Sequence, residues 1–192
     1  MRKATINRNT KETRITVTLN LDGNGTVNCS SGNGFFDHMI QAMGKHGQFD
    51  IDVECEGDLE VDFHHSCEDI GIVLGQAFAE CTKDKTGLVR FGNAFTPLDE
   101  ALVMAVTDLS GRPFLAFDSP FETERTGEFE TELVEEFFRA FAMNGLITLH
   151  IKKMHGKNSH HIIEAMFKSV GRSLAQSVEK KGDVLLSTKG VL

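Results

Sequence analysis

From Arg14 to Leu21 apolar and polar residues alternate (RITVTLNL), the two-residue period of a half-buried strand, and the run ends in the turn signal Asp22-Gly23-Asn24-Gly25. A second short strand over Thr26–Cys29 follows. The spacing then predicts a helix over Phe35–Lys45, a strand over Ile51–Cys55 and a longer helix over His65–Thr82. The second half repeats the order. A strand at Ala101–Asp108 (ALVMAVTD) precedes the turn Ser110-Gly111-Arg112-Pro113 and a strand at Phe114–Phe117. A helix over Glu132–Met143, a strand over Ile147–Lys152 and a helix over His161–Val178 complete it. Both halves read strand, strand, helix, strand, helix.

Local signatures repeat as well. Phe36-Asp37-His38-Met39-Ile40 can be laid over Val134-Glu135-Glu136-Phe137-Phe138, which sets Gly47 on Gly145 and Val53 on Ile151. After a short interruption in register, His64-His65-Ser66-Cys67-Glu68 matches His160-His161-Ile162-Ile163-Glu164. A repeated HHxxE is far harder to obtain by chance than one copy, so the pattern is that of an internal duplication. The expected fold class is α+β: two units, residues 1–88 and 89–192, packed as one pseudo-symmetric body.

Composition narrows the partners. The chain has 192 residues, 40% hydrophobic and 25% charged, ordinary for a soluble globular protein. Its opening lacks the apolar core of a signal peptide, and no apolar run is long enough to span a bilayer. The four cysteines form no CxxC pair and read as reduced thiols, so a cytoplasmic location without membrane attachment is expected. A net charge of −8 with no Trp or Tyr argues against nucleic acid, which needs a broad basic surface. A small phosphate ligand needs only a few cations placed together and stays open.

In HHxxE the Glu lies four residues after the first His and three after the second, which on a helix puts all three side chains within roughly a 100° arc. Adjacent histidines splay by about 100°, poorly placed to chelate one ion but well placed to serve two. Imidazole and carboxylate without thiolate is a ligand set for Mn, Fe, Co, Ni or Zn. One such motif alone reads equally well as polar residues opening a helix; two copies at equivalent places favour metal. Pseudo-symmetry adds His38 and Glu136, each on the preceding helix of its unit. The candidate ligands are His38, His64, His65, Glu68, Glu136, His160, His161 and Glu164, enough for two ions with positions left for substrate.

The motifs RNTKET, FFDHM…KHG, GDLEVDFHHSCEDIG, PLDEALV…DLSGRP, LHI…GKNSHHIIEAMFK and STKGVL, in this order and over nearly the whole chain, closely resemble the imidazoleglycerol-phosphate dehydratases. The resemblance implies a hydro-lyase of histidine biosynthesis that turns D-erythro-imidazoleglycerol phosphate into imidazole acetol phosphate. It implies two Mn2+ per active site and two sheets with helices packed between them, in the manner of the second domain of ribosomal protein S5. It also implies a 24-subunit assembly of trimers with active sites shared between chains. Two departures stand out: many family members carry His where this chain has Glu136, and Leu186 replaces a common Pro.

The proton to be removed has no neighbouring carbonyl, so the imidazole ring is the only electron sink. Metals at both ring nitrogens would favour an imidazolate that expels hydroxide through a diazafulvene-like intermediate. By resemblance Glu12 is the acid/base, with Asp99 as a second candidate; alone, Glu12 reads as a solvated strand-edge charge. Arg112, in its Gly-Arg-Pro turn, suits bidentate contact with phosphate. The resemblance adds Arg90, His46, Lys168, Ser187 and Lys189 as substrate contacts, and His38, His64, His65, Glu68, His160, His161 and Glu164 around the substrate's ring. Lys168 falls four residues after Glu164, on one helix face. The tail Ser187–Leu192, frayed by itself, becomes by resemblance a flap over substrate. His150 and His155 are expected to be structural or solvent-facing. The rival readings are a dinuclear phosphate-ester hydrolase and a non-enzymatic metal-binding protein.

Overall fold

The computed structural model describes residues 1–190; Val191 and Leu192, the end of the expected flap, lie outside the described residues. In chain order the first unit runs β1 (Lys3–Asn9), β2 (Thr13–Asn20), β3 (Val27–Ser30), α1 (Gly34–Gly47), β4 (Asp50–Gly57) and α2 (His64–Cys81). The second runs β5 (Phe91–Leu98), β6 (Ala101–Asp108), β7 (Phe114–Asp118), a small hairpin β8 (Arg125–Thr126) and β9 (Phe129–Glu130), α3 (Leu133–Asn144), β10 (Thr148–His155) and α4 (Ser159–Ser177).

The duplication is visible in the topology. The sheets have the orders β1-β2-β4-β3 and β5-β6-β10-β7, and in each the third strand of the unit pairs in parallel with the fourth. The registers match too: Val17 lies opposite Val53, and Ala105 opposite Ile151. Each unit opens with one strand more than the hydrophobic pattern predicts. In β5 the reason is local, since Gly92 and Pro97 interrupt the run. Pro97 is tolerated because β5 is an edge strand. The β8–β9 hairpin is an insertion peculiar to the second unit; it drives Phe129 into the core against Phe35, Phe36 and Phe63.

The helices fill the space between the sheets. α2 lies on β1 and β2, α4 on β5 and β6, and the shorter helices cross between units: α3 packs on α2 and α1 on α4. These crossings are close because each long helix carries glycine at one equivalent position. A Cβ at Gly75 would come within 2.6 Å of the Phe141 carbonyl oxygen, and one at Gly171 within 2.3 Å of that of Met43. Phe36, Phe137, Phe138, Phe141 and Phe167 are fully buried at the centre. The α1–α4 crossing sets the position of His38.

Candidate metal centre and active site

α4 is capped by Asn158, whose side chain accepts the His161 backbone N–H. At the second residue of the helix, His160 Nε2 is 3.2 Å from Glu164 Oε2. The α1–α4 crossing brings His38 Nε2 to 3.5 Å from the same oxygen, and the donor atoms of His38, His160 and Glu164 all lie within 4.8 Å of one another. Lys168 Nζ holds the other carboxylate oxygen at 2.7 Å. Burial raises the Glu164 pKa, but the Lys168 hydrogen bond and charge, with help from His38, outweigh it and leave it lowered. A charged carboxylate between two imidazoles fits a divalent ion of the Mn–Zn series.

The other five candidates do not gather in this way within the chain. His64 Nε2 lies 3.9 Å from Glu68 Oε2 on α2. Glu136 on α3 lies 3.9 Å from Arg139. Among the described residues only His38, His160 and Glu164 bring three donors together. The second histidine of each pair turns away from the first, identically in the two units: the ring planes of His64 and His65 meet at 81°, and those of His160 and His161 at 83°.

Each turned histidine meets a carboxylate through Nδ1. His65 Nδ1 is 3.0 Å from Asp58 Oδ2, and His161 Nδ1 is 2.7 Å from Glu100 Oε2. These contacts raise the pKa of both histidines. Glu100 is pulled down to about 2, first by His161 and then by the Asn158 N–H. Glu12 stands farther off, 4.0 Å from His65 Nδ1 and half exposed. Asp99 is exposed on a left-handed turn residue (φ 46°), 3.8 Å from His161 Nε2.

The expected cations fall in two groups. Along α4, Lys168 and Arg172 face His46 of α1; burial, then those two charges, lower the His46 pKa. Arg112 is exposed, and its guanidinium makes no hydrogen bond or ion pair among the described residues. Arg90 is already engaged: Nε and Nη2 bind Asp108 at 2.7 and 3.2 Å, and Nη1 donates to the Leu186 carbonyl at 2.6 Å. Arg90 therefore holds the C-terminal segment, where Ser187 and Lys189 follow. That segment lies beside the α2–β5 connection through Lys181 N–H to Gly87 O and Gly87 N–H to Val184 O.

Sequence reasoning passed over Asp58, Glu100 and Arg172. Each carried a signal. Asp58 opens GDLEVDFHH, Glu100 adjoins Asp99 in PLDE, and Arg172 continues the four-residue spacing of Glu164 and Lys168.

The fold and site together define a class: a duplicated α+β protein that offers nitrogen and oxygen ligands to a divalent ion beside cations suited to a small phosphate. The imidazoleglycerol-phosphate dehydratase family model matches residues 31–174. Relatives of that name from Acetivibrio thermocellus and Thermoanaerobacter pseudethanolicus are 53% and 54% identical over 100% of this chain and 99% and 100% of theirs. The structure of the imidazoleglycerol-phosphate dehydratase from Staphylococcus aureus superposes with a TM-score of 0.85 at 38% identity, covering 93% of this chain and 99% of that one. The Pyrococcus furiosus enzyme gives 0.84 at 36% identity, covering 97% and 100%. The chain belongs to the imidazoleglycerol-phosphate dehydratase family. It is a metal-dependent hydro-lyase of histidine biosynthesis, acting on a small-molecule substrate.

Proposed function

We propose that the dehydration is carried out at a site holding two Mn2+ ions, with His38, His160 and Glu164 as the ligands one chain supplies to one ion. The observation that carries this is the meeting of three donor atoms from helices of both units around the Glu164 carboxylate. His64, His65, Glu68, Glu136 and His161 are the remaining ligands. Since they do not converge within the chain, a second ion's shell is completed between neighbouring subunits, which accords with a 24-subunit assembly of trimers. Glu136 is the weakest member because Arg139 already faces it. A bound ion supplies Lewis-acid stabilisation of charge developing on the substrate's imidazole, worth several kcal/mol.

The chain's own groups do the rest. Lys168 occupies one oxygen of Glu164 and leaves the other to the histidines, so it ties phosphate binding to the ligand set. Arg172 and His46 extend the positive potential beside Lys168. Arg112, whose guanidinium has no partner among the described residues, meets the phosphate from the β6–β7 turn of the same unit as Lys168. Arg90 binds the tail, and Ser187 and Lys189 close over the phosphate from that anchored segment. Glu12, exposed beside His65, moves the proton, an effect worth roughly 10²- to 10⁴-fold; Asp99 is second to it. Residues 1–88 and 89–192 form one structural unit, since the trio draws on both. Among the described residues no helix is long and apolar enough to cross a membrane; a cytoplasmic location belongs to this proposal as the place of a biosynthetic enzyme.

The test is to strip the enzyme with chelator and restore Mn2+. Imidazole acetol phosphate should form only after restoration, with two ions per chain by elemental analysis and no inorganic phosphate released. Full turnover by metal-free protein would overturn the reading, and phosphate release would turn it towards hydrolysis. His160→Ala should lose ion and activity together.

A further inference from the structure

The two units place a carboxylate on Nδ1 of their turned histidines, but they take it from different places. Val53 and Ile151 are equivalent, Val17 faces the first and Ala105 the second, so Val17 and Ala105 are counterparts. Equal steps back along β2 and β6 make Glu12 the counterpart of Glu100, each at the turn before its strand. Yet only Glu100 holds its histidine, at 2.7 Å, and it is pinned there by the N–H groups of Asn158 (2.8 Å) and Lys157 (3.2 Å). In the first unit the position is taken by Asp58, from the end of β4, at 3.0 and 3.2 Å from His65 Nδ1. Glu12 is left at 4.0 Å, exposed, and its carboxylate makes no hydrogen bond among the described residues.

We infer that Asp58 and Glu100 are positioning residues: each accepts the Nδ1–H of one ligand histidine, leaving the Nε2 lone pair for the ion, and Asp58 thereby releases Glu12 from the role its counterpart performs. A carboxylate on the far nitrogen fixes the tautomer and ring orientation of a ligand histidine, and losing it costs about 10- to 100-fold in metal affinity. The duplicated fold thus carries carboxylates at two equivalent turn positions, Glu12 and Glu100. Glu100 holds a ring; Glu12, whose place on the ring Asp58 takes, is free to carry protons. This rests on the reading of His65 and His161 as ligands.

The test titrates full-length, metal-stripped enzyme with Mn2+ and reads free ion by electron paramagnetic resonance. Asp58→Ala and Glu100→Ala should each weaken Mn2+ binding about 10- to 100-fold. Glu100→Gln, whose amide oxygen still accepts Nδ1–H, should recover most of the affinity. Glu12→Gln should bind Mn2+ like the parent while losing kcat. At saturating Mn2+, Asp58→Ala should still show a depressed kcat, because the freed His65 recruits Glu12. Because Glu100 also caps the start of α4, folding is checked by circular dichroism, and Asp58→Ala carries the test if Glu100→Ala fails to fold. Folded Asp58→Ala binding Mn2+ like the parent overturns the inference, as does full kcat in that variant at saturating Mn2+. If His65→Ala and His161→Ala also bind like the parent, the ligand reading itself fails, a distinguishable result.

Discussion

At the scale of single residues, the chemistry turns on which polar group touches which. The duplicated motif made Glu164 a ligand candidate, and the family resemblance added Lys168, whose four-residue spacing alone reads as a surface pair; the structure adds that His160 and Lys168 both meet the Glu164 carboxylate. Lys168 and Glu164 are both largely buried, so screening weakens their contact little. Lys168→Met should raise KM about 10- to 100-fold, the 1.5–3 kcal/mol of a charged hydrogen bond. Steady-state kinetics at saturating Mn2+ would show it, and an unchanged KM would remove Lys168 from substrate binding. The choice between Asp99 and Glu100 was not readable, because a pattern of types does not say which of two adjacent turn carboxylates points at the helix. Arg90, which the family resemblance names as a substrate contact, is engaged by Asp108 and the Leu186 carbonyl, partners that no sequence pattern announces. All four cysteines are free, two of them buried. Cys67 is fully buried, and that burial, with Glu136 and Glu68 nearby, pushes its thiol well above the usual range. It should resist iodoacetamide in the native enzyme and react only on unfolding, as mass spectrometry of labelled peptides would reveal.

At the scale of elements, alternation and helical spacing located most of the strands and all four helices, because those segments bury one face and expose the other. The first strand of each unit escaped for a physical reason. β1 is an edge strand with a largely polar outer face, and β5 is broken by Gly92 and Pro97. Gly92 is there because α4 lies so close that a Cβ would fall 1.8 Å from the Ser173 carbonyl oxygen. Contacts of that kind belong to tertiary structure and leave no periodic trace. The same is true of the paired crossings at Gly75 and Gly171, and these make separable predictions. Gly75→Ala and Gly171→Ala each force a methyl into a backbone carbonyl and should cost about 1–3 kcal/mol of stability. Only Gly171→Ala pushes α1 from α4, separating His38 from His160 and Glu164. Thermal melting should therefore find both variants destabilised, while Mn2+ titration should find the affinity loss concentrated in Gly171→Ala. Equal Mn2+ affinities would mean that the helix crossing does not set the ligand geometry.

At the scale of the whole molecule, the pseudo-symmetry of the fold is broken on the outside. The outer face of the first sheet carries Thr5, Asn7, Arg14, Thr16, Thr18, Asp52, Glu54 and Glu56, and bonds such as Thr5–Thr18, Asn7–Thr16 and Arg14–Glu56 satisfy it in water. The β5–β6 part of the equivalent face of the second sheet is largely apolar, while β10 brings His150 and Lys152 to it. Phe95 pairs with Met104, Pro97 with Leu102 and Asn93 with Val106, while Phe114 adds a further exposed ring. Phe91, Phe95 and Phe114 are each more than half exposed. Contiguous apolar patches of this sort mark association surfaces, and the face lies on the unit whose His160 and Glu164 anchor the trio. Apolar residues at both parities of ALVMAVTD were visible in the sequence, but that run alone cannot distinguish a strand buried inside the fold from one buried by a neighbour. The structure makes the distinction, because Ala101, Val103 and Ala105 face the helices and Leu102, Met104 and Val106 do not. If self-association uses this face, Phe95→Glu places a charge on a surface that must lose water. Light scattering should then move from a large assembly to small species. If the ligands outside the trio come from a neighbouring chain, as proposed, kcat/KM should fall with assembly, although His38, His160 and Glu164 stay together in the isolated chain. An active, fully dissociated Phe95→Glu enzyme would show instead that one chain suffices, and the scattered positions of His64, Glu68 and Glu136 would then require movement within the chain to complete the site.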